Sequence, residues 1–256
     1  MFKKPALSSA LAGAGFAVLA ALIFSFLNLA IRYSEAHLTV WHMMFGRSVF
    51  GVIFLMLAAK AGNIRLRGQH RLTLLMVGVT GTGGILCLTV ALIHIPLFQA
   101  LILFYTYPAV AALLSPLLTS DRIHLGDWIC ILLAFAGTVL ILWSGQQVGI
   151  AVTFGHVAAL GASAGLGLTM TLIRRVSHVN NSMTPVFYIS AVGAVICFFP
   201  LFSSGNGFLV SVTGLWWLCA IGILAVSAHI ATNRALSFIS SPKVGEGASP
   251  IMTRLV

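Results

Sequence analysis

Val49-Phe50-Gly51-Val52-Ile53-Phe54-Leu55-Met56-Leu57-Ala58-Ala59 carries no polar side chain, and apolar residues occupy even and odd positions alike. A barrel strand alternates apolar and polar residues with period two, so the run does not fit a barrel wall. Extended upstream it fills the window 38–59, which meets the roughly 20 helical residues needed to cross a hydrocarbon core about 30 Å thick. Lipid offers no partner to a backbone amide or carbonyl, and a helix satisfies both within itself. Comparable windows lie outward on both sides, at 9–31, 72–94, 97–118, 127–144, 153–173, 183–203 and 213–233. Eight helices therefore cross and a ninth begins near the end. The fold class expected is an all-α polytopic membrane protein.

Composition agrees. Hydrophobic residues make up 59% of the chain and charged residues 7%, with a mean hydropathy of +1.06, whereas a soluble domain carries about 25% charge. The formal charge of +10 would suggest nucleic acid in a soluble protein. Here the cations sit in short connectors between apolar spans, so they report topology and no nucleic-acid partner is expected. Numbered from an inside N-terminus, the inside connectors hold Lys3, Lys4, Lys60, Arg65, Arg67, Arg71, Arg122, Arg174, Arg175, Arg234 and Lys243, and the outside connectors hold Arg32. That asymmetry places the N-terminus in the cytoplasm of a cytoplasmic (inner) membrane. The start, Met1-Phe2-Lys3-Lys4, precedes a long apolar run with further spans behind it, so it is expected to be an uncleaved first helix. Cys87, Cys130, Cys197 and Cys219 lie singly within apolar stretches, without metal-ligand or disulfide spacing. No P-loop, HExxH or carboxylate pair is present, and the acids are Glu35, Asp121, Asp127 and Glu246, all at span ends or in connectors. No cofactor, metal or acid–base enzyme chemistry is expected.

The pattern restarts after Ser144. A span ending in inside cations, a second span, an outside loop and a third span follow in the same order, and the junctions Ala91-Leu92-Ile93-His94-Ile95 and Ala235-Leu236-Ser237-Phe238-Ile239 occupy matching places. Five spans per copy is an odd number, so the second copy is inverted. The domains expected are a first five-helix repeat over 1–145 and a second, incomplete repeat over 150–256. If Tyr105-Thr106-Tyr107-Pro108 corresponds to Met252-Thr253-Arg254-Leu255, the second copy stops about 35 residues early, and a natural partner of about ten helices is expected.

The stretch Tyr105–Ile141 combines an aromatic-Thr-x-Pro break, a small-residue helix through Leu118, a charged turn at Asp121-Arg122 and the helix Trp128–Ile141 with its Ala136-Gly137. With Phe45-Gly46-Arg47 and Thr253-Arg254-Leu255, these residues resemble the drug/metabolite transporter superfamily, and within it the EamA-like transporters. The likeness runs through the whole chain. Family members usually carry Gly-Glu-Arg where this chain has Ser120-Asp121-Arg122, and an aromatic where it has Met252. The resemblance implies a ten-helix bundle of two inverted five-helix repeats that moves a small metabolite or drug. Substrate and direction stay open across the family, and a homodimer is compatible with it without being required.

Several residues are candidates for a substrate site. Arg47 lies mid-span, where insertion of an arginine costs about 2.5–3.5 kcal/mol against roughly −0.3 to −0.6 for each neighbouring Leu, Ile, Val or Phe. It is expected either to hold an anionic substrate group or to clamp backbone carbonyls. Tyr105, Thr106 and Tyr107 precede Pro108, which removes a helix hydrogen bond and opens backbone groups at mid-membrane depth. Trp41 and Gln99 are weaker candidates. His42, His94, His156 and His229 lie in or near spans, where each is either a proton relay or a hydrogen-bonded structural residue. His229 and Asn233 stand one turn apart and share a helix face. Gly161-Ala162-Ser163-Ala164-Gly165 matches the letters of a serine-hydrolase elbow, and with His229 it defines an alternative, an intramembrane serine hydrolase. The elbow needs a strand-turn-helix, whereas here the same letters form a small-residue packing face within a span. An inactive remnant is the remaining alternative.

Overall fold

The computed structural model describes residues 7–62, 66–118, 128–129, 132–133, 136–137, 153–176, 179–203 and 210–240, with side chains omitted at 7–10, 117–118 and 233–240. Eight helices are bounded among them: α1 (Leu7–Ser34), α2 (Val40–Ala61), α3 (Arg71–His94), α4 (Leu97–Phe104), α5 (Tyr107–Leu118), α6 (Phe154–Val176), α7 (Met183–Ser203) and α8 (Val212–Ser240). No strand occurs among the described residues. Seven stretches are long and apolar enough to cross a membrane, α4 and α5 counting together as Leu97–Pro116. They coincide with seven of the eight windows read from the sequence. Most of the window 127–144, the Ser120-Asp121-Arg122 turn and the start of a ninth helix lie outside the described residues. The protein is a polytopic helical membrane protein.

Helix ends are set by local chemistry. Thr39 caps α2 by accepting the His42 N–H, and at the other end the Gly62 N–H bonds the Ala58 carbonyl. Between α2 and α3 the chain turns through Gly68 and His70, with φ of +53° and +56°. At Gly68 only glycine fits, because an added methyl group would meet Leu74 at 2.6 Å and Thr184 at 2.7 Å in an already left-handed residue.

Two compact units are present. In the larger, residues 28–222, α3 is central and packs on α6 and α7, α2 packs on α7, and α4 and α5 pack on α6. Lipid removes the hydrophobic drive for helices to associate, so close backbone contact through small residues takes its place. A methyl group built on Gly165 of α6 would come 2.8 Å from the Gly84 Cα and 3.2 Å from the Thr80 carbonyl oxygen of α3. Gly78 meets Val192 and the Tyr188 carbonyl of α7, and Gly167 meets Val110 of α5. Buried and half-buried hydroxyls join the same seams: Thr80 to Thr169 at 2.8 Å, Thr82 to the Ile189 carbonyl at 3.0 Å and Thr171 to the Ala111 carbonyl at 3.3 Å. The smaller unit comprises residues 1–27 and 223–256, and in it the rings of Phe24 and His229 meet edge to face at 5.9 Å. Large apolar side chains such as Phe199, Val212 and Trp216 are exposed, as lipid-facing residues are.

Candidate functional site

The fourth span is broken. Its first half, α4, ends at Phe104, two residues turn, and α5 starts at Tyr107. The sequence places the disruption at Pro108, yet Pro108 stands in the first turn of α5, where no N–H is needed. The interruption falls upstream because Pro108 has no N–H to give the Phe104 carbonyl. The Ala109 N–H bonds the Thr106 carbonyl at 3.0 Å, so the Tyr105 carbonyl also loses its helical donor.

Thr106 pins the break from inside. Its hydroxyl donates to the Leu103 carbonyl at 2.7 Å and lies 2.8 Å from the Ser163 Oγ of α6. A hydroxyl has one proton, so Ser163 is the donor in the second bond. Both side chains are buried. Tyr105 is exposed and Tyr107 half-buried, and both rings pack against Phe104, at 5.5 and 5.6 Å. The break therefore presents two tyrosines and loosened carbonyls while Thr106 is engaged in holding it.

Ser163 sits in the continuous helix α6, with Thr106 rather than a histidine as its hydroxyl partner. Neighbouring Gly161 faces Cys87 of α3, and Gly165 faces Gly84. The G-x-S-x-G letters are thus a helix-packing face.

Arg47 is on α2, partly buried, and no hydrogen bond or ion pair joins it to a described residue. Trp41 stands in the first turn of the same helix and is half-buried, and Gln99 is half-buried on α4. Arg47 and the tyrosines are carried by different packing groups, since α2 packs on α7 while α4 and α5 pack on α6. His229 belongs to the smaller unit, against Phe24, and the Asn233 side chain lies outside the described residues.

Histidines at helix starts serve as caps. His42 Nδ1 lies 2.6 Å from the Thr39 hydroxyl, and His156 Nδ1 accepts the Thr153 N–H at 3.2 Å while lying 2.9 Å from its hydroxyl. A Thr-x-x-His capping arrangement thus recurs at α2 and α6. In the sequence Arg32 stands out only as an outer charge. In the fold it closes the end of α3: its Nη1 donates to the Leu92 and Ile93 carbonyls at 2.8 and 2.7 Å and pairs with Glu35 at 3.3 Å. The available signal was the Arg32/Glu35 spacing beside a helix end, which says nothing of a helix 60 residues away.

The model of the EamA-like transporter family matches residues 11–143, more than half of the chain, and takes in α2, α3 and the broken α4–α5 span. The chain belongs to the EamA-like transporter family. Among curated proteins this EamA-like chain is similar to the pseudopaline exporter CntI of Pseudomonas aeruginosa strains PAO1 and UCBPP-PA14. Each is 29% identical over 233 residues, covering 90% of this chain and 80% of the relative. An EamA-like membership together with the spans makes it a multi-pass membrane transporter for small metabolites.

Proposed function

We propose that this EamA-like chain is a secondary transporter of the cytoplasmic membrane. It moves a small metabolite outward by alternating access, with its N-terminus in the cytoplasm and its halves, 1–145 and 150–256, acting as inverted repeats. The broken fourth span carries the proposal, because interrupted helices at mid-membrane depth are where transporters of inverted-repeat type place substrate. The substrate would contact Tyr105, Tyr107 and the adjoining carbonyls, with Arg47, Trp41 and Gln99 as further contacts. His229 and Asn233 would line the path on α8.

The helix pairings support the repeat. Exchanging the copies maps α1, α2 and α3 onto α6, α7 and α8, so the α2–α7 pair maps onto itself and α3–α6 maps onto α8–α1. The first two pairs pack closely, and parts of α1 and α8 share one compact unit. Lys60, Arg71, Arg174 and Arg175 stand at ends that an inside N-terminus puts in the cytoplasm, which supports the orientation. The relatives' activity makes pseudopaline the first substrate to try.

Inverted membrane vesicles containing the chain, supplied with labelled pseudopaline and a broad metabolite panel, test the proposal. Uptake above empty vesicles that falls with Tyr105→Ala and Tyr107→Ala is the expected result. A well-folded chain that moves nothing in the panel overturns it.

A further inference from the structure

Arg47 is a positive charge with no counter-ion among the described residues. None of the seven spans contains an acid. Of the four acidic residues, Glu35 is paired with Arg32, and Asp121, Asp127 and Glu246 lie outside the described residues. Position on the helix shows where the charge is aimed. Met56, nine residues and two and a half turns further on, lies on the opposite face of α2 and is 56% exposed. Arg47 therefore faces inward. Gly46 and Phe50 on one flank meet Leu218 and Gly222 of α8, while Ser48 and Gly51 on the other meet Gly193 and Ser190 of α7. Arg47 stands between these two contact lines, and the residue as a whole is partly buried.

An unpaired charge inside a membrane protein is strongly unfavourable, and a ligand of opposite sign relieves it on binding. The choice of arginine narrows the ligand. Its planar fork matches a carboxylate through two parallel hydrogen bonds, which an ammonium group cannot do. The charge count narrows it further. The other cations with described side chains stand at helix ends or in a connector: Lys60, Arg67, Arg71, Arg174 and Arg175 are exposed, and Arg32 is engaged. One cation at this depth balances one carboxylate, whereas a phosphate dianion would leave a negative charge over.

We propose that Arg47 is the counter-ion of the transported molecule, and that the substrates of this chain are metabolites presenting a carboxylate between α2, α7 and α8. The proposal rests on the transporter reading above.

The test uses proteoliposomes of the full chain and a panel of labelled aminocarboxylates, each paired with its methyl ester and with a phosphate analogue. Acids are expected to be carried or to compete at least tenfold better than their esters and phosphates. Arg47→Gln is expected to raise the half-saturating concentration of the acids at least tenfold while leaving the esters unchanged. Arg47→Lys, which keeps the charge without the fork, falls between. Esters or phosphates handled as well as acids by the unmodified chain overturn the proposal and leave the transporter reading standing. Equal effects of Arg47→Gln on acids and esters overturn it too, marking the arginine as a helix clamp. If Arg47→Gln fails to fold, Arg47→Lys and the acid–ester comparison still decide. No transport of any panel member by the well-folded chain overturns both readings.

Discussion

Replacing Gly165 with alanine puts a methyl group 2.8 Å from the Gly84 Cα and 3.0 Å from its nitrogen, both backbone atoms that cannot rotate away. Ordinary carbon contacts lie near 3.5–4.0 Å, so α3 and α6 must separate by roughly 1 Å. Forcing an extra methyl into a packed seam costs about 1–3 kcal/mol. The same separation stretches the 2.8 Å bond between Thr80 and Thr169, and a buried hydrogen bond is worth about 0.5–1.5 kcal/mol. Alanine gains about 1 kcal/mol over glycine in helix propensity. The balance is a destabilisation of about 1–3 kcal/mol. Gly161→Ala is the control within the same helix, since its new methyl would sit 3.5 Å from the Cys87 Sγ, an ordinary contact. Unfolding in mixed micelles with increasing sodium dodecyl sulfate, followed by circular dichroism, measures both variants. If Gly165→Ala unfolds at the same point as Gly161→Ala, the two backbones do not approach this closely and the α3–α6 seam is wrongly described.

Thr106→Val removes the hydroxyl bond to the Leu103 carbonyl, which keeps the Thr106 N–H at 3.3 Å, and takes from the buried Ser163 hydroxyl its partner across the seam, a loss of about 1–3 kcal/mol in the same unfolding assay. Ser163→Ala removes a donor only and is expected to cost about 1 kcal/mol or less with transport retained; a larger loss for serine than for threonine would reverse the assignment of donor and acceptor. Arg32→Ala uncovers the Leu92 and Ile93 carbonyls at an end already partly exposed, so the loss is about 0.5–1 kcal/mol, and unchanged hydrogen exchange through the last turn of α3 would contradict the capping role. Pro108→Ala restores an N–H beneath the Phe104 carbonyl; slower amide exchange across 105–109 and weaker transport are expected, and exchange identical to the unmodified chain would show that another feature holds the break open.

Helical segments were legible because each span carries its own evidence. A continuous apolar run of membrane length has one stable backbone in lipid, whatever its neighbours do. The broken span was partly legible. Proline at 108 announces a lost hydrogen bond, but the two-residue turn upstream depends on Thr106 reaching Ser163 across to α6. The glycine-rich stretch of α6 was legible as a packing face, while its partner was not, since a cluster of small residues such as Gly78–Gly84 of α3 does not say which helix it meets.

By itself the sequence determined the solvent, the helical class, the span positions and the likeness to EamA-like transporters. Each follows from side-chain transfer into lipid and local backbone satisfaction, or from a pattern along the chain. Tertiary structure decided everything that depends on two distant segments meeting. It closed α3 with Arg32, engaged Thr106 with Ser163 and left Arg47 facing inward with no acid beside it among the described residues. A charge in an apolar run announces itself in one dimension, but whether it has a counter-ion is a question of three-dimensional distance.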